Sequence, residues 1–227
     1  MARLAADGHE VVFCGRDPSA AAGMDAARFI RCDVASARDV ERLVQSCEEL
    51  AGAPAVLVNN AGVNAAFDAT TMSVADWDRF FAVDLRAAWL CAKQVLPHMV
   101  EARSGAIVNV SSVHAAVTRP GFFPYAAAKA GLVGLTRSLA LDYGAHGIRV
   151  NCVCPGFTRT RLVQEAIELS DDHAAAERQM VQGVALGRMA EPAEIAEVVA
   201  FLASSRASYV SGASLMVDGG LTARRAG

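Results

Sequence analysis

Ala106-Ile107-Val108-Asn109-Val110-Ser111-Ser112 is an apolar, strand-like run that ends on hydroxyls, and Tyr125-Ala126-Ala127-Ala128-Lys129 opens a helical stretch reaching Tyr143. A strand followed by a helix is the repeating unit of a parallel sheet, and both ends of this one carry chemistry. Residues four apart on a helix share a face, which brings the Tyr125 phenol to the Lys129 ammonium. A free phenol has a pKa of about 10, and lowering it by about three units must favour phenolate by roughly 4 kcal/mol. An ammonium about 4 Å away, at an effective dielectric of about 20, supplies that amount. The spacing therefore predicts a phenol of lowered pKa that gives a proton to a carbonyl oxygen as a hydride reaches carbon, or takes one in reverse. Ser112 would hold that oxygen by a hydrogen bond.

Working outward, the same alternation fills the chain. Glu10 to Gly15, Arg28 to Cys32, Ala55 to Asn59, Ala106 to Val110, Arg149 to Cys154 and Ser214 to Val217 read as short strands. Most are apolar on both faces, as a buried parallel sheet requires. Between them, Val40, Leu43, Val44 and Cys47 recur at helical spacing after a capping Ser36. Ser73-x-x-Asp76 opens a long helix bearing Trp77, Phe80, Phe81 and Leu85, and Glu194 to Leu202 follows Pro192. This order predicts an α/β fold with a doubly wound, Rossmann-like parallel sheet, whose ligands sit beyond the carboxyl ends of the strands. Trp77, Phe80, Phe81 and Trp89 read as core or subunit-interface residues, and Arg224-Arg225 as a solvated tail.

Composition narrows the partners. With 227 residues, 53% of them hydrophobic, the chain can bury one large core, and a single domain spanning 1-227 is expected. A net charge of −3 without a basic stripe argues against nucleic acid or an anionic membrane as partner. With no charged-then-apolar leader and no apolar stretch of spanning length, a soluble cytoplasmic protein is expected. Six cysteines scattered through such a chain are expected as free thiols. Cys152-x-Cys154 reads as alternate positions on a buried strand rather than a metal pair, so no metal site is expected.

From end to end the chain carries Gly15-Arg16, Asp33-Val34, Asn59-Asn60-Ala61-Gly62, Ser112, Tyr125 with Lys129, Asn151, Pro155-Gly156 and Asp218-Gly219-Gly220. In this order and spacing it resembles the short-chain dehydrogenase/reductase family, in the branch of 3-oxoacyl-acyl-carrier-protein reductases and related sugar, steroid and xenobiotic reductases. The resemblance covers essentially the whole chain. It implies hydride transfer between NADP(H), or NAD(H), and a small ketone or secondary alcohol. Tyr125 would be the general acid/base, Lys129 its activator and a cofactor ribose contact, and Ser112 the orienting group. Arg16 at a strand end would pair with the extra phosphate of NADP, whereas an acid there would suit NAD. By the same resemblance Asp33 and Val34 approach the adenine, Asn60, Ala61 and Gly62 lie beside its ribose, and Pro155, Gly156, Thr158 and Thr160 meet the nicotinamide amide. Residues 157-189 would form the variable substrate lid, with His114, Phe122 and Phe123 lining the pocket. A homodimer or homotetramer is implied as well.

Two departures stand against these matches. Asp84, in Phe81-Ala82-Val83-Asp84-Leu85, occupies the place where the family usually has an asparagine that helps hold a proton-relaying water. A carboxylate accepts but cannot donate, and its charge alters the titration of Lys129 and Tyr125. Second, Met1 to His9 resembles the end of the family's first helix, and the family's first strand and Thr-Gly-x-x-x-Gly-x-Gly turn, which cradles the pyrophosphate, have no counterpart. The expectation is a truncated or wrongly started reading frame. Either two buried strand edges stay unpaired where that strand would lie, or they pair directly. A non-catalytic relative acting in binding or subunit interaction stays open beside the enzyme.

Overall fold

A computed structural model of the chain describes residues 1–18, 27–63 and 67–223; Arg224-Arg225 lie outside them. A short helix α1 (Ala2–Ala6) precedes β1 (Val11–Gly15) and β2 (Ala27–Arg31). Helix α2 (Ala37–Ala51) is capped by Ser36, whose hydroxyl accepts from the Asp39 amide at 3.2 Å, and ends at Gly52 with φ +82°. After β3 (Val56–Asn59), Ser73 caps α3 (Val74–Phe81) through the Asp76 amide. One wide π turn, Ala82–Arg86, then joins it to α4 (Ala87–Ala102). Strand β4 (Gly105–Val110) leads through a tight turn, Val113–Ala115, to the long α5 (Phe123–Tyr143), and β5 (Ile148–Pro155) follows. Gly147 makes the entry to β5 at φ +75°, where a side chain would collide with the Arg103 carbonyl. Helices α6 (Arg161–Glu168), α7 (His173–Val181) and α8 (Pro192–Ala203) precede β6 (Ser214–Val217).

All strand pairs are parallel, but they form two ladders, β1-β2 and β3-β4-β5-β6. Strands β1 and β3 do not pair, so of the two outcomes expected from sequence the structure has the unpaired edges. Strands β4 and β5 are buried along nearly their whole length. Leu215 and Met216 of β6 are exposed, which departs from the two-sided burial read from its sequence. One face of the four-stranded ladder packs Ile107, Ile148 and Val150 against Val95, Leu96 and Met99 of α4 and Leu139 of α5. The other packs Val108 and Val153 against Ile195, Val199 and Leu202 of α8, with Leu4 of α1 at its margin. A third cluster of Cys32, Val40, Leu90 and Cys91 gathers Cys14 from β1 and Leu57 from β3, and so joins side chains of the two ladders.

All six cysteines are free thiols, and Cys152 and Cys154 are sealed in β5 as the alternation requires. Among the described residues no helix is long and apolar enough to cross a membrane.

Candidate active site

Helix α5 starts at Phe123 with Pro124 in its first turn, where a missing N–H is harmless, and this sets Tyr125 at the mouth and Lys129 one turn deeper. Strand β4 ends two residues before Ser112, which is 6% exposed; its hydroxyl accepts from the His114 amide at 3.2 Å and lies near enough to the Tyr125 phenol to lower its pKa. The structure thus brings together the three residues on which the sequence argument turned. The backbone behind them is locked: Ser111 donates to the Lys129 carbonyl, and Asn59, Asn109 and Thr136 form a chain of side-chain hydrogen bonds across β3, β4 and α5.

Asp84 joins them from below. The π turn carries it inward, and its carboxylate lies 3.2 Å from the Lys129 ammonium with both side chains essentially sealed from solvent. Oδ2 accepts from the Val63 amide at 3.0 Å, while Oδ1 faces the ammonium outside hydrogen-bonding alignment, so attraction of charge holds that side of the pair. The ammonium also donates to the Val110 carbonyl at 3.3 Å. Burial pushes the Asp84 carboxyl above its ordinary range, and Lys129 and the Val63 amide pull it partway back.

Burial, with this pair beside it, reverses the expected titration of Tyr125. The Lys129 ammonium stands 5.5 Å from the phenol ring centre, with a carboxylate beside it. Burial raises the phenol pKa, the Ser112 hydroxyl lowers it, and the Asp84 charge raises it again, for a net rise. The expected lowering left out burial of the phenol, which is the largest influence here, and the Asp84 charge adds to it.

The remaining expected residues divide into two groups. Val34, Ala61 and Asp84 line one cleft together with Asn59, Ala87 and Leu132. Gly62 passes so close to the ion pair that a methyl group there would lie 3.0 Å from Asp84 Oδ1 and 3.3 Å from Lys129 Nζ. Asn60, Ala61 and Gly62 are exposed beside it, as is Arg16 past the end of β1. The other group faces its own backbone. Asp33 accepts from the Ala35 amide, and Thr158, 8% exposed, donates to the Gly156 carbonyl. Thr160 caps α6 by accepting from the Val163 amide. Asn151 bonds Val210 and Ala213, tying β5 to the approach to β6. Pro155 pairs in register with Val217, and Gly156 sits against Asp218, whose carboxylate holds the turn at Gly220 and Thr222.

His114, Phe122 and Phe123 do stand at the mouth. His114 stacks on Phe122 at 4.4 Å and meets Tyr125 edge-on at 5.6 Å, while its Nδ1 pairs with the Thr118 hydroxyl. Phe123 packs near Trp77, which stacks on Phe81. The sequence reading missed the π turn, the Val63 amide and the placement of Arg119 over two rings. Of these, the only sequence signal was the turn-forming Arg119-Pro120-Gly121, which says nothing about what the arginine covers.

A model of the family described as Enoyl-(Acyl carrier protein) reductase matches residues 1–222. The chain belongs to the short-chain dehydrogenase/reductase family. Cis-4-hydroxycyclohexanecarboxylate dehydrogenase of Sinomonas cyclohexanicum is 44% identical over 213 residues, 92% of this chain and 83% of the relative. Meso-2,3-butanediol dehydrogenase of Serratia marcescens is 40% identical over 197 residues, 87% and 76% of the two chains. A gluconate 5-dehydrogenase of Burkholderia cenocepacia, solved in complex with NADP and tartrate, superimposes with a TM-score of 0.89 at 31% identity, over 99% of this chain and 89% of that one. This short-chain dehydrogenase/reductase is accordingly an NAD(P)-dependent oxidoreductase with the family's Rossmann-like fold.

Proposed function

We propose that the chain interconverts a ketone and a secondary alcohol with NADP(H), using Tyr125, Ser112, Lys129 and Asp84 at the reacting end. The observation that carries this reading is the convergence of Ser112 and Tyr125 over a buried Lys129 whose charge Asp84 matches. Support for the cofactor comes from the ribose and adenine side of this surface. Gly62 and Ala61 leave backbone room beside the ion pair, Val34 lines the cleft, and Arg16 makes no ion pair among the described residues and is free to meet a phosphate. Lys129 and Tyr125 would hold the ribose, and the Pro155 to Thr160 segment would border the nicotinamide. The 227 residues contain no Thr-Gly-x-x-x-Gly-x-Gly run for the pyrophosphate.

When bound, the cofactor supplies or takes the hydride. Tyr125 gives its proton to the substrate oxygen as the carbonyl is reduced, and Ser112 donates to that oxygen and fixes its position. Ketone, NADPH and one proton become secondary alcohol and NADP+. A phenol of raised pKa is protonated at neutral pH, which suits it to act as the acid in reduction. The Lys129 ammonium, its charge matched by Asp84, lies beside the phenol as the proton donor that can reprotonate it, and takes a proton back from solvent in turn. The relatives above act on small hydroxy compounds by name, which favours a small-molecule substrate. Exposed Trp89 on α4 and Leu141 on α5 support a homodimer or homotetramer, and the reading places the protein in the cytoplasm.

Tyr125→Phe tests the assignment. It removes the only group that can pass the proton, so turnover falls by more than about a hundredfold while cofactor binding is retained. Turnover within about tenfold of the parent refutes it. The non-catalytic alternative would require that NADPH and a panel of ketones give no turnover with the parent chain.

A further inference from the structure

We infer that the substrate of this site carries a carboxylate some distance from its reacting carbonyl, and that Arg119 reads it. The inference rests on the reductase reading for the reacting end and adds the chemistry of the other end.

Arg119 is an exposed residue of the loop between the Val113–Ala115 turn and α5. Its guanidinium carbon stands 4.5 Å from the centre of the Phe122 ring and 5.9 Å from that of Phe157. Those two rings come from segments far apart in the sequence. Phe122 leads into α5 and packs 6.3 Å from the Tyr125 ring, and Phe157 opens the segment that follows β5. A long arginine side chain on a surface ordinarily samples many rotamers; stacking on two aromatic faces holds this one over the entrance.

Held in this way, the guanidinium keeps its donors. It has five N–H groups, and no described residue accepts from them or pairs with the charge. Other arginines of the chain are engaged: Arg159 is matched by Glu177 and Glu191, Arg188 by Glu194, and Arg149 donates to three carbonyl oxygens. The reacting end below holds no net charge of its own, because Asp84 offsets Lys129. His114 adds none, since burial first and the Arg119 charge second lower its pKa and leave it neutral near pH 7. An unmatched, pre-positioned guanidinium separated from the proton donor by one aromatic ring suits a keto acid or hydroxy acid with a ring or short chain between its two ends. A planar fork of donors recognises a carboxylate in a way that neither an ester nor an alcohol can reproduce.

The test uses the para isomer of oxocyclohexanecarboxylate and its methyl ester, reduced with NADPH by the parent chain and by Arg119→Gln. In parallel, binding of cyclohexanecarboxylate and its methyl ester is followed by calorimetry in the presence of NADPH. The parent is expected to favour the acid over the ester roughly tenfold to a hundredfold in kcat/KM and in affinity, the range of one charge-assisted contact. Arg119→Gln is expected to bring both ratios close to one, and Arg119→Lys to restore part of them. Equal handling of acid and ester by the parent, or ratios that survive Arg119→Gln, overturns the inference while turnover of either ketone leaves the reductase reading standing. With Arg119-dependent binding of the acid and no reduction of either ketone, the anion site holds and the reductase reading falls.

Discussion

Lys129→Met removes an ammonium and keeps most of its stem, and the ion pair it leaves behind sets the size of the effect. At 3.2 Å and an effective dielectric of about 20, the attraction between Lys129 and Asp84 is about 5 kcal/mol. After the substitution the carboxylate stays in a site from which it cannot reach solvent, with the Val63 amide as its remaining donor. Breaking one side of a buried pair in this way costs about 3 to 5 kcal/mol, whereas replacing both partners with neutral groups is close to neutral. Lys129→Met is therefore expected to lose about 3 kcal/mol or more, and Lys129→Met with Asp84→Asn to regain most of it.

The loss also depends on pH. Burial already holds the Asp84 carboxyl above its ordinary range, and removal of Lys129 takes away the largest opposing influence. The folded variant then binds a proton more tightly than the unfolded chain does. Stability is fully present below the unfolded carboxyl range and is lost as pH rises through the raised folded value. The single variant should accordingly be closer to the parent at about pH 5 than at about pH 8. Urea unfolding followed by far-UV circular dichroism at both pH values measures all of this. A single variant within about 1 kcal/mol of the parent, a loss independent of pH, or a double variant no better than the single one would refute the argument.

Further outcomes are expected at the same site. Asp84→Asn removes the charge that raises the Tyr125 phenol, so the rise of alcohol-oxidation kcat/KM with pH should move to lower pH, and superimposable profiles would show that Asp84 does not act on the phenol. Arg16→Asp should narrow or reverse a preference for NADPH over NADH, because a carboxylate repels the extra phosphate and accepts from ribose hydroxyls; the ratio of kcat/KM for the two cofactors decides it.

Much of the fold was legible because its signals are local. The apolar runs marked all six strands to within about two residues, and Ser36 and Ser73 marked helix starts through hydroxyls that do cap Asp39 and Asp76. Ser112, Tyr125 and Lys129 were legible for the same reason, since one strand end and one helical turn fix their positions. What escaped depends on contacts between distant segments. The sequence placed Asp84 on a long helix, but only the π turn and its neighbours Val63 and Lys129 show that its charge is paired. Burial of the Tyr125 phenol, equally invisible in the spacing, set its direction, and the Asp84 charge added to it. Thr158 and Asn151 were read from motif position, and their side chains turn to backbone groups whose vicinity no spacing reveals.

The division of the strands into two ladders also bears on how the molecule opens. Every residue of β1 is half-buried, its ladder partner among the described residues is β2, and side chains around Cys14, Leu57 and Leu90 connect it to the larger sheet. Two-stranded ladders are marginal by themselves. The β1-β2 unit can therefore detach in a fluctuation that leaves β4 and β5 intact, and its amides should exchange with solvent at a lower free energy than those of the core. Arg16 and Asp33 ride on that loosely held unit, whereas Tyr125 and Ser112 are fixed to the most protected part of the chain. Ordering of the first pair and readiness of the second are thus separate thermodynamic events in this molecule.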